Sequence, residues 1–112
     1  MGKSIALLVL GSLLIAACAS PGLQRDCLER KQKAERVASL AASELRVGLT
    51  SLEVRALVGE PDEIITAGGP GGLEAWKYYL YADCKATLGM TAPLTELFFL
   101  DGRLVKWLTR AG

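Results

Sequence analysis

The residues best able to do chemistry in this chain are its three cysteines, Cys18, Cys27 and Cys84, because the chain contains no histidine. Without histidine there is no imidazole base to turn a cysteine into a nucleophile. A metal site is not expected, since thiols without histidine or a C-x-x-C pair supply too few ligands for zinc. The chemistry left for these thiols is covalent attachment or a disulfide.

Cys18 lies within the stretch LLIAACASPG and ends an apolar run that begins at Ile5 and follows Lys3. A basic residue, a short apolar run and small residues before a break are typical of a secretory signal. The residues before Cys18 resemble the bacterial lipobox. That resemblance implies cleavage after residue 17, diacylglycerol on the thiol and a further acyl chain on the new amine. Two or more acyl chains anchor a protein stably to a membrane.

Two alternatives for this segment stay open: an uncleaved signal anchor, and an ordinary signal cleaved after Ala17 or Ala19 that leaves Cys18 free. The run is shorter than the roughly 20 apolar residues that a spanning helix needs. In lipobox proteins an aspartate after the cysteine is typical of inner-membrane retention. Ala19 stands there instead, so the expected location is the outer membrane, on its periplasmic side.

Cys27 and Cys84 remain once Cys18 is acylated, and an even number of cysteines in a secreted protein predicts a disulfide. The alternative is a pair of buried free thiols. The net charge of +1 includes Lys3, so the mature chain is about neutral and no basic surplus is available for nucleic acid.

Catalysis is not expected. The carboxylates from residue 62 onward are scattered and stand mostly at turns or strand ends, where solvation explains them. They are Asp62, Glu63, Glu74, Asp83, Glu96 and Asp101. A domain this small offers little room for a cleft with a perturbed acid–base pair. We therefore expect neither a cofactor nor a small-molecule substrate.

Helical signals come first in the mature chain. Residues 18–25 are expected to be the lipidated cysteine and a linker, because Pro21 and Gly22 disfavour helix. A helix is predicted over 26–47, capped by Asp26 and carrying a stripe of small apolar residues at helical spacing. Thr50 and Glu53 form a capping box for a second, short helix that ends near residue 59.

Strand signals follow, over residues 64–67, 73–81, 94–100 and 103–108, with a longer loop predicted over 82–93. Asp101-Gly102 is a strong signal for a two-residue hairpin turn. The turn predicts two cross-strand pairs: Phe99 opposite Leu104, and Phe98 opposite Val105. The buried set is then either Phe98, Leu100, Val105 and Trp107, or Leu97, Phe99, Leu104 and Leu108.

The expected class is α+β, with two N-terminal helices packed on a three-stranded antiparallel β-meander. The expected organisation is a signal peptide over 1–17, the anchor and linker over 18–25, and one domain over 26–110.

The segment from Leu45 to Trp107 resembles a known family. Residues 46–61, RVGLTSLEVRALVGEP, resemble the R-x-G-[LM]-[ST]-x-x-x-V-x-x-x-[LV]-G-x-P signature of the SmpA/OmlA domain, which is that of the BamE-like lipoproteins. Trp76-Lys77-Tyr78 matches the W-x-Y strand of that family, and residues 97–104 match its final hairpin. The resemblance implies a non-catalytic outer-membrane lipoprotein that acts as an accessory subunit of the machinery that assembles β-barrel proteins.

A partner protein is accordingly expected to dock on aromatic residues of the sheet. The candidates are Trp76, Tyr78, Phe98, Phe99 and Trp107. The alternative function is a periplasmic binding or inhibitory module of related fold that docks its target without a lipid anchor.

Overall fold

The computed structural model describes residues 21–68 and 71–111, and these form an α+β domain. The helices are α1 (Pro21–Glu44), α2 (Ser51–Val58) and α3 (Ala82–Leu88). The strands are β1 (Glu63–Ala67), β2 (Leu73–Tyr78), β3 (Leu94–Leu100) and β4 (Arg103–Arg110). They form one antiparallel sheet in the order β1-β2-β3-β4. The α+β class is therefore confirmed.

The prediction of a three-stranded meander is wrong, because β1 joins the sheet as a fourth strand. It pairs with β2 along its whole length, from Glu63 opposite Lys77 to Ala67 opposite Leu73. Ile64, Ile65 and Thr66 are β-branched residues, which favour the pleated conformation. Because a lone strand cannot satisfy its own backbone groups, pairing with β2 provides the hydrogen bonds that β1 requires.

A third helix, α3, occupies part of the loop predicted over 82–93. Gly89 ends it in the left-handed conformation with φ of 63°. Seven residues show too little periodicity to be recognised, and a helix of this length is stable only when it packs. The support comes from Cys84, which is buried against α1.

Helix α1 begins earlier than predicted, since residues 21–25 are helical rather than a linker. Proline and glycine are tolerated in a first turn, where the N–H that proline lacks has no partner to lose. Asp26 consequently lies inside the helix and caps nothing; its carboxylate accepts a hydrogen bond from Arg30 Nε at 3.2 Å. The predicted apolar stripe is confirmed, and its buried members are Cys27, Ala34, Val37 and Ala41.

The capping box of α2 is confirmed. Glu53 N donates to Thr50 Oγ1 at 3.2 Å, and Thr50 N donates to Glu53 Oε1 at 3.1 Å. The Thr50 backbone N–H and the Thr50 hydroxyl both donate to the Glu53 carboxylate, and because these two bonds favour its charged form they lower the pKa of Glu53. Leu49 before the cap and Val54 after it are both buried, which fixes the direction in which the chain enters α2.

The hairpin between β3 and β4 turns where the sequence predicted, but its register is different. Asp101 and Gly102 have φ of 52° and 75°, as a type I′ turn requires. Phe99 lies opposite Leu104, as predicted. Phe98 lies opposite Lys106 and not Val105, because a β-bulge inserts one extra residue into β4.

The bulge exchanges the faces of the residues that follow it, since side chains alternate along a strand. Trp107 therefore lies opposite Leu97 and packs on the core, and Leu108 points to the other face. Neither of the two predicted buried sets is correct as a whole.

The main core lies between one face of the sheet and helices α1 and α2. The sheet contributes Trp76, Tyr78, Leu97, Phe99 and Leu104, and the helices contribute Val37, Ala41, Val54 and Val58. A second, smaller cluster surrounds the two cysteines and includes Cys27, Ala34, Leu80, Cys84 and Ala92. Within the described part of the chain, this division leaves the other face of the sheet without a helix over it.

Candidate interaction surface

The predicted Cys27–Cys84 disulfide is confirmed. The two Cα atoms lie 5.6 Å apart, and both side chains are almost fully buried. The bridge joins the first third of α1 to α3, across 57 positions of sequence. The predicted attachment residue, Cys18, lies outside the described residues.

A polar network holds α1 to the sheet beside the disulfide. The Asp62 carboxylate, whose side chain is 8% exposed, accepts from Arg30 Nη1 at 3.2 Å and from the Tyr79 backbone N–H at 2.9 Å. Lys33 Nζ lies 3.8 Å from the same carboxylate, and the guanidinium of Arg30 stacks over the ring of Tyr81 at 3.8 Å. A nearly buried carboxylate with two cations and a backbone donor orients α1 against the sheet.

The structure corrects the predicted aromatic docking patch for three of its five members. Trp76, Tyr78 and Phe99 lie in the main core and are at most 1% exposed. Trp76 and Phe99 have ring centroids 4.5 Å apart, and the Tyr78 hydroxyl donates to the carbonyl of Gly59 at 2.8 Å. Burial raises the pKa of Tyr78. These three residues bind the helices to the sheet and are not accessible to a partner.

The other two candidates lie on opposite faces of the sheet. Trp107 is half-buried and packs against the main core. Phe98 is also half-buried but points to the opposite face, where the ammonium of Lys106 lies 5.3 Å from its ring centroid. Of the five predicted aromatic residues, only Phe98 contributes to the face that none of the described helices covers.

That face, called the open face below, is made by residues that alternate with the core residues along each strand. Across the four strands it presents Ile65, Leu73, Ala75, Lys77, Glu96, Phe98, Leu100, Lys106 and Leu108. Its aliphatic residues are well exposed: Ile65 and Leu73 are each 46% exposed, and Leu100 is 49% exposed. A solvated sheet face is usually polar, so exposed apolar residues on three neighbouring strands make this face a candidate docking surface.

Charged residues occupy one half of the open face and alternate in sign. Lys77 lies between Glu63 and Glu96 at one level of the sheet, and Glu96 also pairs with Arg110 at 3.7 Å. Most of the apolar residues lie toward the opposite end of the strands, although Lys106 stands beside Phe98 and Leu108 beside Glu96. The open face therefore has a mainly apolar half and a half in which opposite charges are neighbours.

The two ends of the domain differ in what they carry. Both strand turns lie at the hairpin end, where the Asp101 N–H donates to the Gly71 carbonyl at 2.8 Å. Helix α1 finishes near that end, since the Gly48 N–H bonds to the Leu104 carbonyl. Pro21 and the disulfide lie at the other end, called the disulfide end below. Here a cavity of about 330 Å³ adjoins the open face and is lined by Lys77, Tyr79 and Lys85 among others.

Several residues of this surface are missed by sequence reasoning. From the sequence alone Asp62 is interpreted only as a solvated turn residue, and no sequence motif indicates that Lys77 and Glu96 are neighbours. Their proximity depends on the pairing of β2 with β3, which becomes visible only when the register is known. The neighbours of Asp62 on α1 lie about thirty positions away in the sequence.

Within residues 21–68 and 71–111 no group of three or more histidine, cysteine or acidic side chains is placed to hold a metal ion. In the same part of the chain no helix is both long and apolar enough to cross a membrane. Comparison with protein-family models, with curated proteins and with solved structures found no match.

Proposed function

We propose that this chain is a non-catalytic lipoprotein of the bacterial outer membrane, anchored through Cys18 and facing the periplasm. The observation that carries the proposal is the pairing of Cys27 with Cys84. A structural disulfide fits an oxidising compartment outside the cytoplasm. The pairing also leaves Cys18 as the odd thiol, at the position where the lipobox-like stretch places the attachment residue.

The mature domain acts in this proposal as a scaffold that stabilises envelope assembly by binding other proteins. The open face supports this part, because it exposes aliphatic side chains on a sheet whose other face is occupied by helices. The tie to the SmpA/OmlA family, and through it to the barrel-assembly machinery, rests on the motif residues. These form the cap, body and end of α2, including Thr50, Glu53 and Gly59.

The test is the intact mass of the protein extracted from membranes, before and after reduction. We expect the mass of residues 18–112 plus a diacylglyceryl group, with or without a third acyl chain on the new amine, and an increase of two hydrogens on reduction. The matched control is Cys18→Ser, which should give a protein without acyl chains that still carries the disulfide.

An unacylated wild-type protein in the soluble fraction would contradict the lipoprotein proposal. It would favour the alternative, a secreted binding or inhibitory module, because the open face and the disulfide do not depend on the anchor. Affinity purification of the acylated protein from solubilised envelopes then tests the assembly role. Recovery of barrel-assembly subunits supports that role, and their absence contradicts it.

A further inference from the structure

We propose that the partner of the open face is a second copy of this chain. Two copies stack open face on open face, related by a two-fold axis that runs parallel to the strands between β2 and β3. The result is a sandwich of two four-stranded sheets with the helices on the outside. Only the part of the argument that concerns the lipid anchors rests on the proposed function.

The two-fold axis brings β2 of each copy opposite β3 of the other, at the same level along the strands. Ala75 and Phe98 are cross-strand neighbours in one copy, so Ala75 of one copy then faces Phe98 of the other. A small residue opposite an aromatic ring leaves room for the ring between the sheets. Leu73 and Leu100 are likewise neighbours and lie opposite each other across the two copies. The same axis places Ile65 of one copy opposite Lys106 of the other, so the apolar side chains that are removed from water are those of β2 and β3.

The charged half is self-complementary under the same axis. Lys77 pairs with Glu96 across β2 and β3 within one copy, so Lys77 of each copy lies opposite Glu96 of the other. Two such pairs form per dimer, one on each side of the axis. No like charges are opposed between β2 and β3, as an isologous interface requires.

The direction of the axis also suits two anchored copies. A rotation about an axis parallel to the strands leaves the strand direction unchanged, so both disulfide ends lie on the same side of the dimer. Pro21 lies at that end, and Cys18 stands three positions before it in the sequence. Both lipid anchors can therefore enter one membrane, and both hairpin ends point away from it.

The size of the face sets the expected strength of the contact. Four strands span about 19 Å, and the paired residues extend about 20 Å along them, which makes a flat area of roughly 400 Å² per copy. Specific interfaces commonly bury about 800 Å² per partner. Side chains that project from the sheet add to the flat area, so we expect a weak dimer. Confinement of both copies to one membrane strengthens it.

The experiment is a charge exchange on the full-length protein, followed by sedimentation equilibrium in a density-matched detergent. In a homodimer, Lys77→Glu opposes the new carboxylate to Glu96, and Glu96→Lys opposes the new ammonium to Lys77. Each variant alone should raise the dissociation constant roughly tenfold or more. An equimolar mixture of the two variants should recover dimers, because both 77–96 pairs between the two copies of a mixed dimer then join a carboxylate to an ammonium.

The mixture separates an interface from an effect on folding. A charge reversal also disturbs neighbours within its own copy, but mixing cannot repair an intrachain defect. Arg36→Glu is the matched control, since Arg36 is exposed on α1, on the other side of the molecule, and this variant should dimerise like the wild type. A monomeric wild type, unchanged dimerisation of Lys77→Glu, or a mixture that stays monomeric would each overturn the proposal.

The intact mass of the wild-type sample separates this proposal from the proposed function. An unacylated wild-type protein whose dimers follow the charge-exchange pattern would refute the anchor and support the interface. An acylated protein that remains monomeric would refute the interface and support the anchor.

Discussion

Removal of the Cys27–Cys84 cross-link should lower the free energy of unfolding of this domain by a large share. The bridge spans 57 positions, and closing a loop of about that length lowers the entropy of the unfolded chain by roughly 14 cal/mol/K. At 25 °C this corresponds to about 4 kcal/mol, which is a large share of the 5–15 kcal/mol that is typical of a folded domain. For a domain of this size we expect the melting temperature to fall by roughly 15–30 °C.

The assay is urea unfolding of residues 19–112, followed by tryptophan fluorescence and circular dichroism. Three forms are compared: the oxidised wild type, the reduced wild type, and the double variant Cys27→Ala/Cys84→Ala. The reduced wild type differs from the oxidised form by two hydrogens, so it isolates the cross-link. The double variant also removes two sulfur atoms from the second cluster and should be at least as unstable.

A loss of less than about 1 kcal/mol in the reduced protein would refute this reasoning, because it would mean that the loop is not closed in the native state or that the unfolded chain is already compact. Hydrogen exchange locates the effect. Amides in the first third of α1 and in α3 should lose protection before those of β2 and β3, since the bridge joins these two helices and the main core lies elsewhere.

Three further pairs of substitutions test other parts of the structure, each by chemical unfolding. Asp62→Ala should lower the free energy of unfolding by roughly 2–3 kcal/mol, because it leaves two cations of α1 without their nearly buried carboxylate. Asp26→Ala removes a well exposed carboxylate and should lower the free energy of unfolding by less than about 0.5 kcal/mol. Phe99→Ala should lower the free energy of unfolding by roughly 3–5 kcal/mol and Phe98→Ala by about 1 kcal/mol, because only Phe99 lies in the core; equal losses would contradict the assignment of these two residues to opposite faces of the sheet. Thr50→Ala should cost about 1 kcal/mol through loss of the cap of α2, and Thr50→Ser should restore it; no loss in the alanine variant would contradict the cap.

The features that are predicted correctly depend on residues close together in the chain. The capping box requires only Thr50 and Glu53, and the type I′ turn requires only Asp101 and Gly102. The disulfide is a long-range contact, but counting cysteines is enough to propose it. In each case one or two residue types restrict the local conformation, or the possible disulfide pairing, so strongly that the rest of the fold does not change it.

The features that are predicted wrongly depend on competition between distant parts of the chain. Pro21 and Gly22 disfavour helix locally, yet both are helical at the described start of α1. Farther along, this helix is fixed by the disulfide and by the hydrogen bond from Arg30 to Asp62. Residues 82–88 are too few to predict a helix, and Cys84 stabilises them by bonding to a distant helix. Strand β1 is recognisable as extended, but its place in the sheet depends on β2.

The candidate surface illustrates the same division. The sequence by itself determined the class, the cap and end of α2, the hairpin turn, and the cysteine pair, because each follows from local geometry or from a count. Only the tertiary structure decided which aromatic residues are accessible, because a single extra residue at the bulge moves Trp107 into the core and Leu108 to the open face. Side chains alternate with a period of two, so one inserted residue reverses every face assignment beyond it. The position of the bulge depends on how β4 packs against the whole core, so it is not predictable from a short stretch of sequence.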